Sequence, residues 1–220
     1  MDIYEAIAKR RTVRDFQKRP IDEDIIQRII DAGLRAPTHN HLRRWEFVLI
    51  NDPAVRLSVI KKINNNIPSG DSEKMLDRWG YTDSYQRQMY IDAIPKQYRM
   101  LLQAGCLIIP CFHQASPLLK PKNLSALNGF ASIWCCIENM LLAAVAEGLY
   151  GVTRIPFDKE IKHLKAVLHI PDQYAIPCYL ALGYPEEKQN NPIPQHIIRP
   201  EERMHINGWG KMNNSIKRQE

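Results

Sequence analysis

The stretch SALNGFASIWCCIENMLLAAVAE, residues 125–147, decides the fold. Its apolar residues fall on nearly every side of a 3.6-residue period, so a helix built from it belongs inside a core. Gly148 follows as a natural stop. Asn128, Ser132, Glu138 and Asn139 interrupt it, and its longest unbroken apolar run is 140–146. A membrane span needs about 20 apolar residues, so a core helix is expected and not a transmembrane one.

Strand candidates lie on both sides of that helix. Residues 106–112 (CLIIPCF) read as a buried strand limited by Pro110, and 149–155 and 176–182 as two more, separated by a helix at 158–168 that Pro171 follows. Residues 45–50 are short, aromatic and β-branched, a fourth strand. Asp2 and Glu5 form a cap pair for a first helix that stops near Arg10. Asp22 begins a second, with Ile21 and Ile26 as a hydrophobic staple, and Pro37 ends it. Asp52 caps a third with Pro53 at its first position, and Val55, Val59, Ile60 and Ile63 share its apolar face. The expected class is α+β: a sandwich with a mixed, mostly antiparallel sheet flanked by helices.

Residues 64–95 are polar, broken by Pro68, Gly70 and Gly80, and carry Trp79, Tyr81, Tyr85 and Tyr90. They suggest a partly helical flap, and a connection of that length is usually functional. Beyond Gly183, prolines at 185, 192 and 194 without a helical period suggest an extended arm reaching Arg199. One domain over 1–209 and a polar tail at 210–220 are expected.

The 220 residues are 45% hydrophobic and 25% charged. A chain of that length can bury roughly 70% of its surface, and this composition excludes disorder, collagen-like repeats and a disulfide miniprotein. Five cysteines with no C-x-x-C spacing read as buried free thiols, and seven histidines show no H-E-x-x-H pattern, so no structural metal is expected. The opening MDIYEAIAKRR has neither an apolar stretch nor a cleavage site, which leaves a cytoplasmic setting as the expectation. The net charge of +6 is spread among 24 acids without a zinc-finger, RNA-recognition or helix-turn-helix cue. Neither nucleic acid nor membrane is an expected partner, and a phosphate- or nucleic-acid-binding module is the weakest alternative.

Two stretches carry chemistry. Arg10, Arg11, Thr12 and Arg14 place three guanidiniums and a hydroxyl within five residues. Each guanidinium fork donates two parallel charge-assisted hydrogen bonds, so together they can surround a phosphate. The competing reading is a basic helix end that favours the dipole. Downstream, Pro37, Thr38, His39, Asn40, His41 and Arg43 occupy a loop between helix and strand. They offer many donors to a flat polar ring, or else form a turn rich in cap residues.

RRTVRDF at 10–16, Pro20 before the next helix, APTHNHLRRWEFVLI at 36–50, AAVAEGL at 143–149 and LALGYP at 180–185 resemble, in this order, the nitroreductase family. The resemblance covers residues 1–209 apart from much of 64–95. It implies a nitroreductase-like sandwich that binds FMN, with the C-terminal arm exchanged in a homodimer. It further implies that Arg10, Arg11, Thr12 and Arg14 hold the ribityl phosphate, with Thr12 replacing the usual Ser. By the same resemblance the loop from Pro37 to Arg43 reaches the flavin of the partner subunit. The backbone near Ile155 and Pro156 would meet the flavin's reactive ring nitrogen, and Arg199, or its rival Arg203, would complete the phosphate site.

Several positions depart from the family pattern. His41, Arg43 and Arg44 stand where Asn, Gln and Pro are usual, and Arg154-Ile155-Pro156 replaces a Glu-Gly or Gly-Gly pair. Proline has no amide hydrogen, so Ile155 or a neighbour must supply that contact. The implied activity moves electrons from NADH or NADPH to a small organic acceptor, such as a nitroaromatic or quinone, in alternating ping-pong half-reactions. Dehalogenation or flavin fragmentation on the same fold is the alternative, and no acid–base residue is singled out.

Overall fold

In the computed structural model, which describes residues 1–68, 70–114, 116–187, 193–194 and 197–211, the first helix begins where its cap pair requires. Asp2 Oδ1 accepts from the Glu5 amide at 2.9 Å, and the Glu5 carboxylate accepts from the Asp2 amide at 3.2 Å. They open α1 (Ile3–Lys9), which Arg10 closes by donating to Ala6 O. The second helix, α2 (Glu23–Leu34), follows Asp22, and the staple residues Ile21 and Ile26 are both buried. Asp52 Oδ1 accepts the Ala54 and Val55 amides at the start of α3 (Pro53–Ile60).

Residues 64–95 are more helical than their composition suggests. They contain α4 (Asp71–Arg78) and most of α5 (Ser84–Gln103), which runs on past Pro95. Proline removes one helical hydrogen bond, but the two turns after it bury Met100 and Leu101, and that burial holds the helix together.

The sheet consists of β1 (Trp45–Leu49), β2 (Cys106–His113), β3 (Tyr150–Arg154), β4 (Tyr174–Ala175) and β5 (Tyr179–Gly183), in the order β1-β2-β5-β3 with β4 beside the far end of β2. All four pairings are antiparallel, and a parallel bridge from Thr12 to Gly151 adds the mixed element. Pro110 does not limit β2, which is a correction to the sequence expectation. Ile50 N donates to Leu107 O and His113 N to Arg44 O, so the odd-numbered residues of β2 bond toward β1. The Pro110 nitrogen therefore faces the opposite side, where β5 pairing stops at Ile108 and β4 pairing starts at Phe112. The missing amide hydrogen falls in a gap where no strand needs it.

Alternation along the strands divides the core. Leu107, Ile109, Cys111, Val152, Tyr179 and Ala181 face one way, against α3, α5 and α7 (Asp158–Leu168). Cys106, Ile108, Phe112, Leu180 and Leu182 face the other, against α2 and α6 (Asn128–Ala146). The deciding stretch 125–147 is thus a 3-10 turn at Leu124–Leu127, then α6, with Gly148 at φ 78° as its stop. Length and composition alone would let Leu124–Ala146 cross a membrane; here it packs on α2 and the sheet. Four cysteines are buried as expected, but Cys135 is exposed on the outer face of α6.

The chain divides into two units, Met1–Gln189 and Asn190–Glu220. Everything above belongs to the first. The described part of the second has a 3-10 turn at Pro200–Glu202 and a His205 ring packed on Trp209 at 4.6 Å. Much of the expected arm, at 188–192 and 195–196, and nearly all of the tail after 211 lie outside the described residues.

Candidate functional site

Residues 10–16 leave α1 as an extended edge beside β3. Val13 N donates to Gly151 O at 3.2 Å, and Val13 and Phe16 are buried in the core. Phe16 bridges Pro185, and Gln17 N donates to Tyr184 O. Glycine is required at two points of this seam. A Cβ on Gly151 would approach Leu141 Cδ2 to 2.5 Å, and one on Gly183 would approach Phe16 Cδ1 to 2.7 Å.

With Val13 and Phe16 pointing inward, the basic side chains line the outer edge. Arg10 pairs with Glu138 of α6 at 3.4 Å. Arg11 sits 5.4 Å over the Tyr150 ring, and its Nε is buried with no hydrogen-bond partner. Burial pulls the Arg14 pKa below the ordinary arginine value, opposed by Asp92 and Asp15. A buried donor left unpaired costs about 1–3 kcal/mol, so Arg11 Nε has standing demand for an acceptor oxygen, in a cluster whose positive charge favours an anion. That chemistry fits a phosphate.

The sequence did not reveal the acids that hold this cluster. Asp92 of α5 lies 3.7 Å from Arg14 and 2.5 Å from Lys96, and Lys96 reaches Asp15 at 2.6 Å. Arg99 also pairs with Asp15. The flap helix is thereby tied to the arginine segment by alternating charges. Trp79, Tyr81 and Tyr90 pack on one another with centroids 5.2 to 6.4 Å apart. Tyr90 also stands within electrostatic reach of Arg14, and burial raises its pKa.

At the end of β3, Arg154 is clamped. Its two terminal nitrogens donate to Glu160 at 2.6 and 3.0 Å and its Nε to Gln97 at 2.8 Å. Glu160 Oε2 also accepts the Phe157 amide, which pins the turn through Ile155, exposed, and Pro156, buried. Arg199 belongs to the second unit, where its exposed side chain donates to Glu202 at 3.1 Å.

The 37–45 loop sits against the N-terminal turns of α6, at Ser132. Its 3-10 turn holds Asn40 at φ 54° and His41 at φ 57°, and Arg43 follows at φ 42°. Three left-handed residues cost of order 1 kcal/mol or more each, and the loop is held by its neighbours. His39 N donates to Ser132 Oγ at 3.0 Å, and Arg43 Nε donates to Leu34 O at the end of α2. Pro37 is exposed, and the Thr38 hydroxyl donates to His39 O at 3.4 Å.

Ser132 beside this loop and Glu138 beside Arg10 are six residues apart on α6. That is roughly 9 Å of rise and roughly 240° of turn. The arginine cluster and the loop therefore attach to different faces of one helix.

The Nitroreductase family model matches residues 7–184. The chain belongs to the nitroreductase family. Membership in this family makes it an oxidoreductase. The chain is 28% identical over 190 residues to an NADH dehydrogenase of Thermus thermophilus, covering 86% of this chain and 89% of the relative. Its fold is similar to that of the NADPH:FMN oxidoreductase from Vibrio harveyi complexed with NAD+, with a TM-score of 0.66 and 21% identity over 96% of this chain and 79% of the other. Oxidized iodotyrosine deiodinase bound to FMN and 3-iodo-L-tyrosine shares the fold at a TM-score of 0.63 and 20% identity, covering 90% of this chain and 98% of that one. FMN is thus the flavin of this fold among its solved neighbours.

Proposed function

We propose that the protein is an FMN-dependent oxidoreductase that passes electrons from NADH or NADPH to a small organic acceptor by a ping-pong mechanism, as a homodimer in a reducing, cytoplasmic setting. The observation that carries this reading is the buried, unpartnered Arg11 Nε in the same short segment as the partly desolvated Arg14, because a phosphate supplies the acceptor that Arg11 lacks. Arg10, Arg11, Thr12 and Arg14 hold that phosphate. The clamped turn after Arg154 presents the Ile155 backbone, and residues 37–43 serve the flavin of the partner subunit. When bound, FMN supplies the reversible two-electron chemistry; the protein's part is to bind, orient and exclude water.

The dimer is supported by apolar surface that one chain leaves uncovered. Only 39% of the most apolar window of Leu124–Ala146 is buried, and α1, which packs on α6, exposes Ile3, Tyr4 and Ile7. A large apolar interface is typical of obligate dimers. The purified protein should be yellow, release about one FMN per chain on denaturation and sediment as a dimer. A colourless monomer with no FMN affinity would reject the reading, and anaerobic reduction by each nicotinamide would identify the donor.

The fold shared with iodotyrosine deiodinase supports reductive dehalogenation as a second reading. Halide release from a halophenol during anaerobic turnover distinguishes it from nitro or quinone reduction.

A further inference from the structure

A cavity of about 440 Å³ lies between the 38–45 loop, the end of β2 and the start of α6. Its apolar wall is aromatic: Trp45 and Phe112 are both buried and both line it. Its polar wall holds Arg44, whose guanidinium has no ion pair or side-chain hydrogen bond among the described residues, and His39. The other arginines near this loop are committed, Arg43 to Leu34 O and Arg35 to Asp31.

His39 is prepared as a donor. The Asn128 amide nitrogen lies 3.2 Å from His39 Nδ1. An amide nitrogen can only donate, so Nδ1 accepts and the ring proton sits on Nε2. The His39 backbone is fixed by its bond to Ser132 Oγ, which in turn donates to Asn128 O at 2.7 Å. The cavity thus combines a planar aromatic wall, an unengaged guanidinium fork and a fixed N–H donor, at a volume inside the range of small-molecule pockets, roughly 300–1,000 Å³.

We infer that this cavity binds the acceptor, and that the acceptor class is a small aromatic molecule carrying a carboxylate, with Arg44 as the residue that selects for the charge. The inference rests on the reductase reading above for the word acceptor, but not for the binding itself. Arg44 forms a bidentate pair with the carboxylate, which a neutral amide of the same shape cannot match. His39 Nε2–H donates to the same carboxylate, and Trp45 and Phe112 hold the ring.

The test is calorimetric titration of the flavin-loaded protein with benzoate and, separately, benzamide. Benzoate should bind at least tenfold tighter. That preference should vanish in Arg44→Gln, persist in part in Arg44→Lys, and persist fully in Lys61→Gln, which removes one surface charge elsewhere. Steady-state assays should then show the kcat/KM ratio of nitrobenzoate to nitrobenzyl alcohol falling at least tenfold in Arg44→Gln, mainly through KM for the anion, with FMN content at the wild-type level. Equal affinities for benzoate and benzamide in the wild type, or a preference that survives Arg44→Gln, would overturn the proposal. A colourless protein that still prefers benzoate would instead remove the reductase reading and leave the site standing.

Discussion

Arg154 and Glu160 meet through two hydrogen bonds of 2.6 and 3.0 Å, with only 6% and 2% of their side chains exposed. Removing one partner leaves the other charge buried, at about 3–5 kcal/mol, whereas replacing both by apolar residues is often close to neutral. Arg154→Met and Glu160→Met should each lower stability by several kcal/mol in urea unfolding, and the double variant should recover most of the loss. Additive losses would mean that the pair itself contributes little.

Arg11 should show opposite effects on the empty and the loaded protein. Arg11→Met removes a buried unpaired donor, so the FMN-free chain should be as stable as the wild type or more so. FMN affinity should fall tenfold or more, since a charge-assisted hydrogen bond contributes about 1.5–3 kcal/mol. Fluorescence titration and thermal unfolding of the apoprotein check the two halves. A parallel loss in both would make Arg11 a structural residue.

Gly151→Ala should disturb the seam that carries the arginines. The new methyl would meet Leu141 and Leu182 side chains and the Ala181 carbonyl, the last at 3.3 Å. Overpacking of this kind costs about 1–3 kcal/mol. Because Thr12 and Val13 pair with Gly151, FMN affinity should fall as well, although residue 151 touches no phosphate. Wild-type FMN affinity in a destabilised variant would separate the seam from the site.

The buried thiols should make the protein labile in alkali. Burial raises the pKa of Cys106 to about 11 and those of Cys111 and Cys136 to about 12, and pushes Cys178 up as well. A thiol released by unfolding ionises near 9, so the folded state holds more protons above that pH. The stabilisation is complete below pH 9 and is lost as pH rises toward 11–12, with a slope of up to about 1.4 kcal/mol per pH unit for each thiol. Urea midpoints at pH 8 and pH 10 measure it, and Cys178→Ala should flatten the slope. An unchanged slope in that variant would trace the alkaline loss to other groups.

Much of the fold could be read locally. Asp2 with Glu5, and Asp52 with Pro53, are short-range signals that act within one turn of helix, and the structure realises both. Pro110 could not be read that way, because its cost depends on which neighbouring strand faces its nitrogen. Arg154 was legible only as part of the turn that follows a strand, and nothing in the expected helix at 158–168 singled out Glu160; only the tertiary fold joins them. The density of arginines at 10–14 was visible. Asp92, in the stretch read as a polar excursion, and Lys96, just past its end, lie about eighty residues away and carried no mark of belonging beside them.

The attachment of the arginine segment and the 37–45 loop to α6 has a consequence for how this chain can vary. Substitutions on α6 change one contact at a time. Deleting a single residue between Ser132 and Glu138 would rotate everything on one side by about 100° and shift it by about 1.5 Å relative to the other. Glu138 would swing away from Arg10 while Ser132 kept its hold on His39. This interval should therefore tolerate no change of length, and because Ile133, Cys136 and Ile137 inside it are fully buried, only its outward positions, such as the exposed Cys135, should accept varied side chains.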